Sequence, residues 1–208
     1  MSEITVSALP EQFRQVAVKA REAQARGNHE LVVEFASTIL IEFPGCLAAR
    51  KLQYEAWLAQ GFSGPSAAQR AKGVLAGIRL PWSSRKSAAQ GTALQQADAV
   101  LAADHWSRVG WRKLAAAAAE ADLQETAVFA WGAFMKMAPE DRDAGLGLVR
   151  ALLEVERYAE AVTAVETLLQ KHPKDGEALA LLRRASIDHT VDKGKWDSDG
   201  SFRDKLRG

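Results

Sequence analysis

The chain has 208 residues, 48% of them hydrophobic, which is ample to bury a core, and its 27 Lys and Arg against 26 Asp and Glu leave a net charge of +1. That balance removes the overall field that draws a protein to nucleic acid or an anionic membrane, so neither partner is favoured. The lone cysteine, Cys46, excludes an internal disulfide and a cysteine-rich zinc cluster. No run approaches the roughly 18 apolar residues of a membrane helix, and Met1–Pro10 lacks a basic start followed by an apolar core, so a soluble, unexported, cytoplasmic protein is expected.

Phe13, Val16 and Ala20 open a helical pattern that reaches the turn Gly27-Asn28, and a second helix from Leu31 to Phe43 ends at Pro44. Residues 46–60 and 66–79 are expected to pair around the loop 61–65, with Pro81 as terminator. Trp82-Ser83-Ser84-Arg85 reads as a loop, and a helix over about 87–103 makes an irregular hairpin, with a lobe boundary near 82–87. Residues 108–141 and 142–175 align without a gap at an offset of 34, pairing Leu114 with Leu148, Glu120 with Glu154, Ala127 with Ala161 and Pro139 with Pro173. The alanines let two helices approach closely, the leucines fill the groove between them, and each proline forces the preceding residue out of helical geometry. A last helix, 176–191, carries Leu179, Leu182 and Ala185 on one face and suits a solvent-facing cap. Residues 192–208, Gly-rich and charged, are expected to be an extended tail.

The spacing Trp111, Leu114, Ala127, Trp131, Pro139 resembles the tetratricopeptide repeat pattern. The second copy keeps Leu148, Ala161 and Pro173 but has Gly145 and Val165 where the first has Trp111 and Trp131, and residues 11–44 look like a divergent copy. The resemblance implies an all-α, right-handed superhelical solenoid of antiparallel hairpins over residues 1–191, whose first helices line a concave groove for a protein or peptide. Arg14, Arg21, Arg50, Arg112 and Arg150 fall on those first helices. An arginine fork grips a carboxylate in two parallel bonds, so an acidic segment is the expected partner. The lysine and asparagine clamp of the family's chaperone-binding members is not found.

No chemistry competes with this reading. There is no Gly-x-Ser-x-Gly elbow, and Gly145-Leu146-Gly147 lacks both a third glycine and a preceding strand. His29, His105, His172 and His189 are scattered, so no metal, cofactor or catalysis is expected, and Cys46 reads as a buried, inert thiol. Trp111 and Trp131 belong to the core, Trp57 sits between core and groove, and Trp82, Trp106 and Trp196 lie in or beside loops, with Trp82 and Trp196 the candidate exposed aromatics. The stretch from Glu55 to Asp98 contains Arg70, Lys72, Arg79, Arg85 and Lys86 with no acid between, a local positive field. The alternative function is structural: self-assembly as part of a larger polypeptide, with the aromatic-bearing tail docking on another copy.

Overall fold

The computed structural model describes residues 2–60 and 93–205, with side chains as far as Gly194. These residues are helical throughout, and no strand occurs among them. A 3-10 turn, Val6–Ala8, precedes α1 (Glu11–Ala25), α2 (His29–Glu42), α3 (Leu47–Ala59), α4 (Ala93–Ala103), α5 (Arg108–Glu120), α6 (Gln124–Met137), α7 (Arg142–Glu154), α8 (Tyr158–Lys171) and α9 (Gly176–Lys205). Two compact units form, Met1–Ala130 and Trp131–Gly208.

Two local devices repeat along the chain. The first is a three-residue turn within a hairpin, Arg26 to Asn28, Ala121 to Leu123 and Val155 to Arg157. Its middle residue has a left-handed backbone each time: Gly27 at φ 71, Asp122 at φ 60 and Glu156 at φ 59. The amide after it bonds back five residues, Asn28 to Ala23, Leu123 to Ala118 and Arg157 to Leu152, which satisfies a carbonyl left open by the helix end. The second device is a four-residue link between hairpins, whose last residue caps the next helix. Ser107 accepts from the Gly110 amide at 3.2 Å, Asp141 from Ala144 at 3.0 Å and Asp175 from Ala178 at 3.2 Å, three caps spaced 34 residues apart.

The first unit packs α1, α2 and α3 around Leu9, Ala17, Ile39, Leu40, Cys46 and Ala49, with Phe13 and Phe43 edge to face at 4.9 Å. Helix α3 is joined to α4 by the Arg50–Asp98 ion pair. Residues 60–92 lie in sequence between these two helices. The 34-residue register holds from α4 onward: α4 ends and α5 begins at 103 and 108, in register with 137 and 142 downstream. The expected helix over 66–79, the loop at 82–85, the lobe boundary near 82–87 and the basic stretch lie outside the described residues. In the second unit Gly147 lets α7 approach Trp131, since a Cβ there would sit 2.5 Å from the indole.

The expected extended tail is corrected. Helix α9 continues through 192–205 to Lys205. No proline follows Pro173, and Gly194 and Gly200 each cost only about 1 kcal/mol relative to alanine, less than is needed to end a helix already nucleated upstream.

Candidate partner-binding surface

The five arginines have different fates. Arg14 and Arg21 stand exposed two turns apart on α1; Arg14 is paired with Glu11 one turn earlier. Arg112 is exposed on α5. Arg150, on α7, is exposed but ion-paired with Glu177 at the start of α9. Arg50 departs from the expectation of a groove position: it is 2% exposed, its fork grips both oxygens of Asp98, with Nη2 to Oδ2 at 3.1 Å, and Nη2 also donates to the Pro44 carbonyl at 2.9 Å. A guanidinium so engaged holds α3 to α4 and to the α2–α3 link. Trp82 lies outside the described residues. Trp196 lies on helical backbone, but its side chain is likewise outside them.

The sequence reading passed over two features of the first unit's exposed face. Val18 on α1 and Val109 on α5 are 54% and 60% exposed, apolar groups near the arginines in sequence. Glu55 on α3 accepts from the Gln24 amide of α1 at 2.7 Å, which ties a carboxylate between these two first helices. Neither has a motif, and exposure follows only from the packing.

Aromatic side chains fill the interior beside α3. Tyr54 packs edge-on to Trp111 and to Phe129, each at 5.4 Å; Trp57 stacks on His105 at 5.4 Å; Trp111 donates to the His105 carbonyl at 2.9 Å. Trp57 is therefore core, and Trp106 is half-buried against His105. Burial pushes the His105 imidazole below its ordinary value, with the Asp104 carboxylate pulling the other way. In the second unit Arg142 grips Asp175, the cap of α9, and reaches Glu177 at 2.9 Å. Chiefly that hydrogen bond from Arg142 lowers Asp175 to about 2.

A cleft between α2, α3 and α4 is lined by Leu40, Ile41 and Ala102. Its Gln53 donates to the Ser37 hydroxyl, Gln95 donates to the Ile41 carbonyl, and Asp98 is engaged by Arg50. Among the described residues no group of three or more His, Cys, Asp or Glu could hold a metal ion, and no helix is long and apolar enough to cross a membrane.

Residues 114–185 match the family model described as tetratricopeptide repeat. Among solved structures, the TPR2AB domain of yeast Sti1 in its pHSP90 complex aligns at 16% identity over 84% of this chain and 69% of its own, with a TM-score of 0.44. TTC0263, a thermophilic TPR protein of Thermus thermophilus, aligns at 15% identity over 89% and 85%, with a TM-score of 0.40. No curated protein sequence matches the chain.

Proposed function

We propose that this chain, whose residues 114–185 match the tetratricopeptide repeat model, is a non-catalytic adaptor that binds a segment of another protein along the first helices of its hairpins. The observation that carries this reading is that exposed apolar and arginine side chains lie one turn apart on two first helices of the first unit, Val18 with Arg14 and Arg21 on α1 and Val109 with Arg112 on α5. An extended segment with apolar anchors and a carboxylate suits such a surface, because apolar contact supplies affinity and an arginine fork fixes the carboxylate. Arg50 leaves the candidate set, and Arg14 and Arg150 are already ion-paired with Glu11 and Glu177, which leaves Arg21 and Arg112 as the residues to test. The test is to pan a random-peptide display library on the full chain. A consensus containing Asp or Glu beside an apolar residue, lost with Arg21→Glu and Arg112→Glu, supports the reading; no consensus, or one indifferent to both reversals, overturns it.

A second reading, self-assembly, draws on α9. Ile187 and Val191 on its outer face are 63% and 53% exposed, whereas Ala178 and Ala185 opposite are fully buried. Counting 34 residues back places Ile187 with Leu153 of α7, which is buried, so α9 leaves open a face that α7 covers. Light scattering over a hundredfold concentration range distinguishes the two: a dimer that Ile187→Glu dissolves favours assembly, and a monomer throughout removes it.

A further inference from the structure

Four helices carry their own cap. Asn28, Ser107, Asp141 and Asp175 each accept from the amide three residues on. Helix α6 cannot do so, because Leu123 stands at its cap position and has no polar side-chain atom. The amide three residues on, that of Thr126, is bonded instead by Glu3, whose Oε1 accepts from it at 2.6 Å from far upstream in the chain. The Ile4 amide donates to the Gly45 carbonyl at 3.0 Å, and Ile4 and Val6 pack on the cluster anchored by Leu9. Gly45 is needed there: a Cβ would lie 3.0 Å from the Ser2 carbonyl oxygen and 3.3 Å from Leu123. Residues 2–9 thus form a strap whose forward end is held by one charge-assisted hydrogen bond, one backbone hydrogen bond and two half-buried side chains.

The site offers more than the strap uses. Thr126 is fully buried, yet its hydroxyl has no hydrogen-bond partner. A buried hydroxyl without a partner is destabilising, and a carboxylate able to reach both the amide and the hydroxyl would satisfy it.

We propose that the Gly45 carbonyl and the uncapped first turn of α6 form a docking site for an extended protein segment of the pattern acidic, apolar, any, apolar. Glu3-Ile4-Thr5-Val6 occupies it in cis, and a partner segment of the same pattern takes it in trans. The carboxylate supplies the missing cap, the following amide meets the Gly45 carbonyl, and the two apolar side chains seat on the Leu9 cluster. Tethering gives the cis segment a local concentration of order mM, so a free peptide competes poorly until the strap is weakened or the partner engages elsewhere as well. This site is separate from the arginine-bearing face and does not rest on the adaptor reading.

The probe is a fluorescein-labelled synthetic peptide of residues 2–10, titrated by anisotropy into the full chain and into the full chain carrying Glu3→Ala and Ile4→Gly. The weakened chain should bind at least about ten-fold more tightly than the unmodified one, as expected when a tethered competitor is removed. The Glu3→Ala peptide should lose that gain, and Arg21→Glu with Arg112→Glu should leave it intact. Equal binding to both chains, or binding indifferent to the peptide's Glu3, overturns the proposal. Hydrogen exchange on the unmodified chain decides independently of any variant's folding. A detachable strap lets the Thr126 amide exchange at least about ten-fold faster than those of Val128 and Ala130; equal protection means a fixed structural strap, and the proposal fails.

Discussion

Arg50 shows how much one side chain's role depends on register. Counting back nine residues from the ends of α3, α5 and α7 puts Arg50 in the frame of Trp111 and Gly145, an interior position. Thirty-four residues back, Arg50 aligns with Val16 of α1, half-buried against the Leu9 cluster, but it lies 61 residues from Trp111, and its partner Asp98 lies 48 residues away with no local pattern to announce it. Removing one member of a buried pair strands the other charge. Asp98→Ala is therefore expected to destabilise by about 3–5 kcal/mol, while replacing both partners by apolar residues, Arg50→Met with Asp98→Leu, should recover most of that loss. Urea denaturation of the three variants checks this; a double variant as unstable as Asp98→Ala would mean that the arginine is doing something other than pairing. Gly147 gives a second prediction of the same scale. Its missing side chain makes room for Trp131, so Gly147→Ala should cost about 1–3 kcal/mol through overpacking. Adding Trp131→Leu should restore part of it in the same denaturation assay.

At the scale of elements, the links were more legible than the helices' partners. The turn Gly27-Asn28, the stops near Pro139 and Pro173, and the 34-residue offset could be read directly because each depends on two or three adjacent residues, and α6 and α8 do end at Met137 and Lys171. The Arg50–Asp98 link between α3 and α4 could not, since its two ends lie 48 residues apart. The end of α9 was misjudged for a different reason: glycine and charge are weak signals against a helix when no proline stops it. The turns themselves hold a testable cost. Gly27 adopts its left-handed backbone freely, whereas Asp122 and Glu156 do so with a side chain, a strain of about 1–2 kcal/mol for an ordinary residue. Glu156→Gly should stabilise by about 1 kcal/mol after glycine's own entropy is counted, raising Tm by about 2–4 °C in a chain of this size. Calorimetry that shows no rise would place the compensating interaction on the Glu156 side chain.

At the scale of the whole molecule, acid should act on the two units in separate pH ranges, because the group shifted in the acid range is a histidine, His105, in the first unit and carboxylates, chiefly Asp175 with Glu160 beside Arg157, in the second. In the first unit, burial lowers the His105 pKa below its unfolded value of about 6.5. The neutral imidazole stacked on Trp57 therefore stabilises that unit above about pH 6.5, and the contribution declines as the pH falls below that value, because the unfolded chain then binds the proton more readily. In the second unit, Arg142 holds Asp175 at about 2, below the unfolded carboxylate near 3.9, so its contribution is complete above about pH 4 and is lost as the pH falls toward 2. The chain should consequently lose Tm in two stages, between pH 7 and 5 and again between pH 4 and 2. His105→Phe, which keeps a ring against Trp57 but cannot titrate, should flatten the first stage and leave the second. Asp175→Asn should flatten the second and leave the first. Scanning calorimetry of the three chains across both ranges tests the assignment, and a first stage that survives His105→Phe would transfer that titration to another group.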